Sequence, residues 1–347
     1  MFFRRSGGPR VRSGSLALGL AGATLAWTVL SLAVAAWDWR DRWWTPGSEW
    51  RYFLRLWLFW ASAAFPLAFG AVLAHAIAAR RLSTRVLCLV AALPLAAGTW
   101  ARLVEPELLR VRHTVVRGAP AQAQPVRIAL VSDIHWGLYG RDHQLRRLVA
   151  RLNELGVDAV FIAGDWTYEP RRNLAGGLAP LADLRMPSFA VLGNHDTEAP
   201  GPPLAAALRG ALERNGVRVV EGRRLDWKGW EIVGLEDLWG GSPRRQAREL
   251  LAGPHPARLV LAHQPDTFEM VPAGSSFIGL AGHTHGGQIQ LPWLTGKLLR
   301  STTRNPWWDG LYDTAGGRVF VTPGIGMIGL PMRLGVPPTI DVITLAR

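Results

Sequence analysis

Ile128-Ala-Leu-Val-Ser-Asp133-Ile-His135 is a short apolar run that empties into two side chains able to bind a metal. On an extended strand end the i, i+2 spacing lets Asp133 and His135 converge on one ion, although a lone Asp-x-His is as readily a turn cap. The pattern then recurs along the chain. Ala159–Ala163 runs into Gly164-Asp165, Phe189–Leu192 into Gly193-Asn194-His195-Asp196, Leu261-Ala262 into His263, and Phe277–Ala281 into Gly282-His283-Thr284-His285. Turn capping explains one such end but not five in order, and in α/β sheets binding sites gather at the carboxyl ends of strands.

The set is chemically coherent. Asp133, His135, Asp165, Asn194, His263, His283 and His285 offer oxygen and imidazole nitrogen but no sulfur, which suits Mn, Fe, Zn or Mg. Seven ligands exceed one coordination sphere. Two divalent ions ~3.5–4 Å apart, sharing a bridging carboxylate, take all seven and form a clamp suited to phosphoryl transfer. Further short runs at Val217–Val220, Glu231–Gly234 and Arg318–Thr322, with the amphipathic stretch Asp142–Leu155, predict an α/β fold of two packed mixed sheets flanked by helices. His113, His143 and His255 lack neighbours at ligand spacing and read as linker or surface residues. Trp293, Trp307 and Trp308 read as loop packing, with an acyl-chain cleft or a bilayer contact as the alternative.

Upstream the texture differs. Of 347 residues 49% are hydrophobic and 19% charged, and the apolar excess lies near the N-terminus. Ser13–Trp37 runs 25 residues without a charge and Leu56–Ala79 runs 24, each long enough for the ~30 Å hydrocarbon layer. The third run, Val86–Ala101, holds 16 residues around Pro94, and it spans only if Arg85 and Arg102 snorkel. Trp37, Trp39, Trp43, Trp44 and Trp50 supply an aromatic belt. The expected organisation is a membrane region over 1–116, a small-residue linker over 117–125 and a catalytic domain over 126–347. Three spans with the N-terminus inside place that domain outside the cytoplasm, and two spans return it. Arginine counting across the loops does not choose between them.

A net charge of +13 raises the question of nucleic acid, but the charge is unevenly placed. Residues 1–120 hold 15 Arg against 5 acids, whereas residues 121–347 hold 24 basic and 21 acidic residues. The basic excess sits with the apolar half, so no nucleic acid is expected. The single Cys88 forms no internal disulfide, and no G-x-S-x-G elbow supports an acyl hydrolase.

The ordered strand-end set resembles the calcineurin-like metallophosphoesterase superfamily over about residues 126–345. Gly282-His-Thr-His-Gly-Gly-Gln288, Thr322-Pro-Gly-Ile-Gly326 and Leu330-Pro-Met-Arg-Leu334 are similar to its membrane-associated bacterial branch of phosphodiesterases and lipid-sugar pyrophosphatases. The resemblance implies one metal on Asp133, His135 and His285, a second on Asn194, His263 and His283, and Asp165 between them. It further implies a metal-bridging hydroxide that attacks phosphorus in line, with His195 as a catalytic acid or charge stabiliser. Asp196 is then either its orienting partner or a helix cap after the turn. Two departures, Trp166 after Gly164-Asp165 and Thr339 in Pro338-Thr-Ile340, touch no ligand but bear on substrate. The implied protein is a hydrolase of phosphoric ester or pyrophosphate bonds, integral to the bacterial cytoplasmic (inner) membrane, with the lipid bilayer as partner and a lipid or lipid-sugar substrate. A phosphodiesterase for soluble substrates and a membrane sensor or scaffold with an inactive domain remain as alternatives.

Overall fold

The computed structural model describes residues 13–42, 49–118, 120–197, 203–252, 255, 257–297 and 305–347; Trp43 and Trp44 of the expected belt lie outside them. Four helices come first: α1 (Ser13–Asp38), α2 (Glu49–Ala61), α3 (Phe65–Ala78) and α4 (Leu82–Thr99). A single turn of 3-10 helix joins α2 to α3, making one run Glu49–Ala78 of 30 residues, and α4 continues through a π turn to Glu107 as a run of 26. Both runs are long and apolar enough to cross a membrane, whereas the apolar part of α1 described, Gly22–Asp38, is shorter. Pro66 falls in the first turn of α3, where its missing N–H leaves no carbonyl unpaired.

The third run therefore exceeds its sequence expectation, because the polar turn Leu82–Arg85 is already helical and the helix does not stop at Ala101. Its two flanking arginines are placed differently. Arg85 donates back to the Ala79 carbonyl at 2.9 Å, and Arg102 is buried, with Nε on Ser62 Oγ at 2.8 Å and its guanidinium 4.4 Å from the centre of the Phe59 ring.

Fourteen strands follow among the described residues: β1 (Arg110–Arg117), β2 (Val126–Val131), β3 (Trp136–Gly137), β4 (Ala159–Ala163), β5 (Thr167–Tyr168), β6 (Ser188–Val191), β7 (Arg218–Val219), β8 (Arg224–Trp227), β9 (Trp230–Gly234), β10 (Arg258–Leu261), β11 (Phe277–Ala281), β12 (Gly310–Asp313), β13 (Gly317–Val321) and β14 (Thr339–Ala346). They form two six-stranded mixed sheets, ordered β1-β14-β2-β4-β6-β7 and β12-β13-β11-β10-β9-β8, and β3 pairs with β5. Alternation along the strands builds the layers. Ile128, Leu130, Phe161 and Phe189 meet Ile232, Leu259, Leu280 and Phe320 between the sheets. Ala129, Val131, Val160 and Ile162 face the opposite way, towards α5 (Asp142–Glu154), α6 (Leu174–Gly177) and α7 (Ala205–Arg214). Val233, Val260 and Val319 do the same for the second sheet, against α8 (Pro243–Leu250).

Residues 110–116, which the sequence reading left in the membrane region, are an edge of this fold. β1 runs parallel to β14 in register Arg110 to Thr339 through Arg117 to Ala346. Arg112 on β1 reaches the buried Asp341 carboxylate on β14, a long-range pair that no local pattern announces.

Candidate active site

All five strand ends meet at one place. β2, β4, β6, β10 and β11 run parallel within their two sheets, so their carboxyl ends deliver Asp133, Asp165, Asn194, His263 and His283 to the same edge of the sandwich. The turns that do so are unusual. Asp133, His135, Asp165, His283 and His285 all have φ between 48° and 71°, a left-handed region that costs a non-glycine residue about 1–3 kcal/mol. Glycine makes the close approach possible: a Cβ on Gly193 would lie 2.2 Å from Asp165 Oδ1, and one on Gly282 would lie 1.9 Å from Ser132 Oγ.

Two donor clusters result, Asp133/His135/His285 and Asp165/His263/His283, each with its ligand atoms mutually within 4.8 Å. His135 Nε2 and His285 Nε2 face each other at 3.1 Å, and His285 Nε2 is 3.3 Å from Asp133 Oδ1. His263 Nε2 lies 3.1 Å from Asn194 Oδ1 and 3.2 Å from His283 Nδ1. Between the clusters, Asp165 Oδ2 is 3.2 Å from His263 Nε2 and 3.6 Å from His135 Nε2, while its Oδ1 accepts the His195 backbone N–H at 2.9 Å.

The residues fit cations. Ring nitrogens pointing at one another have lone pairs to share, and ligands ~2.0–2.2 Å from one first-row ion stand about 3 Å apart. Asp133 Oδ1 is buried and has no hydrogen-bond partner, although Oδ2 accepts the His283 N–H at 2.9 Å. The far nitrogens of two rings lie against carbonyls, His263 Nδ1 on Ala163 O at 2.7 Å and His135 Nδ1 on Thr167 O at 3.3 Å, which leaves each Nε2 turned inwards. Charge is also short of a partner here. Burial raises the Asp133 carboxyl, whereas Asp165 is held well below the usual carboxylate range because His263 and its neighbours outweigh its desolvation. Burial opposes charging His263, but Asp165 prevails and pushes it to about 10. The imidazoles of His135 and His285 are shifted down, chiefly by burial, and that of His283 falls to about 3 for the same reason.

His195 is 6% exposed, with its ring edge-on to His135 at 5.3 Å and to Tyr168 at 5.1 Å, and it makes no ring hydrogen bond to a described residue. Burial pushes its pKa down to about 3, against the pull of Asp165 in the opposite direction. Asp196 does not orient it. The Asp196 carboxylate accepts from Trp166 N, Thr167 N, Thr167 Oγ1 and Gly193 N, which fills both oxygens and ties the turn after β4 to the turn after β6. Nor does it cap a helix, since the next helix among the described residues, α7, begins at Ala205.

Several residues escaped the sequence reading. Trp239 is 53% exposed and stands edge-on to His283 at 5.1 Å, an open wall beside the metal cluster. Asp237 holds that loop through the N–H groups of Trp239 and Gly240, and it also accepts from Gln264, whose amide reaches Asn194 Oδ1 at 3.5 Å. Arg333 is fully buried, donates to the carbonyls of Gly326, Val336 and Pro323, and brings Nη2 to 3.5 Å from His285 Nδ1. The loop tryptophans divide: Trp307 packs against the outer core of the second sheet, but Trp293 is 90% exposed and not packed.

Residues 126–295 match the family model for calcineurin-like phosphoesterases. The uncharacterized metallophosphoesterase YkuE of Bacillus subtilis is 28% identical to the chain, covering 71% of it and 88% of its relative. The phosphodiesterase YaeI of Escherichia coli is 27% identical, over 69% of this chain and 88% of that one. A transmembrane protein with metallophosphoesterase domain from Danio rerio is 29% identical, over 79% of this chain and 65% of that one.

Proposed function

From the calcineurin-like phosphoesterase domain that this chain carries, we propose a membrane-anchored, two-metal hydrolase of phosphoric ester or pyrophosphate bonds that acts on an amphiphilic, lipid-linked substrate. One observation carries the two-metal reading: the single oxygen Asp165 Oδ2 faces a nitrogen of each cluster, at 3.2 and 3.6 Å. Asp133, His135 and His285 would hold one divalent cation, Asn194, His263 and His283 the other, and Asp165 both. Cations bound there supply Lewis-acid charge to the phosphoryl oxygens and the leaving group. Around them the chain excludes water and fixes tautomers through Ala163 and Thr167. His195 has a ring nitrogen with no protein partner, placed to donate a hydrogen bond to the phosphoryl or leaving oxygen.

The anchoring reading rests on where the helices meet the domain. α1 and α2 are antiparallel, with Trp27 Nε1 on Ala61 O and Trp57 Nε1 on Ser31 Oγ. Ala35 near the end of α1 and Leu56 and Phe59 in α2 pack on Leu138, Tyr139, Tyr168 and Met327 of the domain, and α4 returns to it at Ala101. Counting the shorter α1 as a span beside the two long apolar runs, our reading is three passes. With the N-terminus inside, the site is extracytoplasmic. The amphiphile reading rests on Tyr168, which packs in that apolar cluster and touches His135 and His195 with its ring, so apolar helices lie one ring away from the site.

The test is hydrolysis by the full-length protein in nanodiscs, with and without Mn, of bis-p-nitrophenyl phosphate, phospholipids and lipid-linked pyrophosphates. Mn-dependent turnover with the highest kcat/KM on a lipid substrate is expected. Turnover confined to soluble diesters rejects the lipid assignment, and two bound metals without turnover of any of them indicate the sensor or scaffold.

A further inference from the structure

Two loops beyond the metal ligands form a single projecting unit. Leu334 N donates to Gln288 O at 3.0 Å, Gln290 N to Leu334 O at 2.8 Å, and the Gln288 side chain to the carbonyls of Ile328 and Leu330 at 2.9 and 3.0 Å. The tip of the first loop is Leu291-Pro-Trp-Leu294, without a charge. Its base is stapled by Thr295, whose hydroxyl accepts Leu291 N and donates to Ile289 O, each at 2.7 Å. Trp293 is held outwards at φ 64° and is 90% exposed, with Leu291, Leu294 and Leu330 between 44% and 50%. Closed at its base yet apolar at its tip, this turn withholds from the core the residues that globular proteins bury.

The same unit hangs from the membrane helix. Arg333 N donates to Ala101 O at 2.8 Å and Val336 N to Glu105 Oε1 at 2.7 Å, so the second loop is fixed to the last turns of the run Leu82–Glu107. On those turns Trp100, Leu103 and Val104 are themselves exposed, as a helix end at a bilayer boundary requires. On its other side the unit reaches the site through Gln288, three residues after His285, and through Arg333.

We propose that Leu291–Leu294 and Leu330 are a membrane-inserted lip, continuous with the end of α4, that seats the mouth of the metal site at the lipid surface. The proposal rests on the anchored reading above and adds how substrate arrives: headgroups enter beside His285 while their chains remain in the leaflet. Apolar tips with a tryptophan at headgroup depth and Lys297 at the rim match an interfacial contact.

A position-specific probe tests it without requiring turnover. Trp293→Cys in a Cys88→Ala background, labelled with an environment-sensitive nitrobenzoxadiazole and placed in nanodiscs, should be quenched ~3-fold by lipids carrying a shallow doxyl group, as expected for a headgroup-level side chain. A label at Asp226→Cys on β8 should not respond. Equal emission at position 293 with and without doxyl lipid overturns the lip. In kinetics, Trp293→Asp should raise KM for a nanodisc-borne phosphodiester about 10-fold and leave bis-p-nitrophenyl phosphate turnover unchanged, since the reacting groups are untouched. An equal loss on both substrates makes Trp293 a structural residue and rejects the access role. Quenching in a protein that cleaves no lipid rejects the substrate assignment and leaves the lip standing.

Discussion

Gly193→Ala isolates the seating of the carboxylate between the two clusters. The added Cβ would lie 2.2 Å from Asp165 Oδ1 and 2.5 Å from Asp165 N, both within a buried turn. Carbon contacts relax only near ~3.5 Å, so the carboxylate must move by about 1 Å or the turn after β6 must back away. Neither is easy, because Oδ1 is fixed by His195 N at 2.9 Å and the turn itself is bound by Asp196. Overpacking of this kind costs about 1–3 kcal/mol, and a ~1 Å misplacement at a reacting centre costs on the order of 10²-fold. Mn content by elemental analysis, kcat/KM on bis-p-nitrophenyl phosphate and Tm by scanning fluorimetry should therefore all fall, the rate by ~10² and Tm by roughly 3–10 °C. Gly210→Ala in α7 is the control, since its Cβ meets nothing closer than the tip of Arg214 at 3.3 Å, and it should stabilise by ~0.5–1 kcal/mol. If Gly193→Ala keeps two metals and works within ~3-fold of wild type, the Asp165 carboxylate does not sit between the clusters.

Asp165→Asn is expected to deplete both metals and His135→Ala mainly one, and equal depletion by the two substitutions would refute the shared oxygen. His195→Ala should lower kcat by ~10²–10⁴ with metal content intact, more for poor leaving groups than for good ones; a lost metal would make His195 a ligand. Glu169 supplies a pH test outside the site: burial lifts its carboxyl to about 8, above 4.5 for an ordinary Glu. The folded state thus holds a proton that the unfolded chain has released, and stability falls as pH rises from 4.5 towards 8, by at most about 5 kcal/mol. Glu169→Gln should match wild type in Tm near pH 4.5 and exceed it by roughly 5 °C or more at pH 8.5, and a pH-independent difference would exclude this group.

What could be read in the sequence is what lies next to itself in the chain. β2, β4, β6, β10 and β11 each hold an apolar run buried on both faces, and each reaches its candidate ligand within three residues of its end, so run and residue announce each other. β1, β8, β12 and β14 carry no such signal. Arg110–Arg117 alternates like an exposed segment, and its place at the sheet edge depends on Arg112 meeting Asp341 more than two hundred residues later. Trp239 and Gln264 are illegible for the same reason, and Arg333, though it stands in the motif Leu330–Leu334, shows its role only through partners brought in by other strands and loops. The surroundings of Arg333 make the consequence concrete. Its segment lies against the first strand end through Ile325 N on Ser132 O at 2.9 Å, against His285 through its guanidinium, and against the long apolar run Leu82–Glu107 through its backbone on Ala101. The sequence reading separated membrane region from catalytic domain at a small-residue linker, yet one buried cation spans the two. Glu105, near the end of the helix run, binds Val336 N, and Arg333 donates to the carbonyl of that same Val336. The end of that helix run is therefore joined through two hydrogen-bonded residues to a candidate metal ligand, and the helices belong to the scaffold of the site.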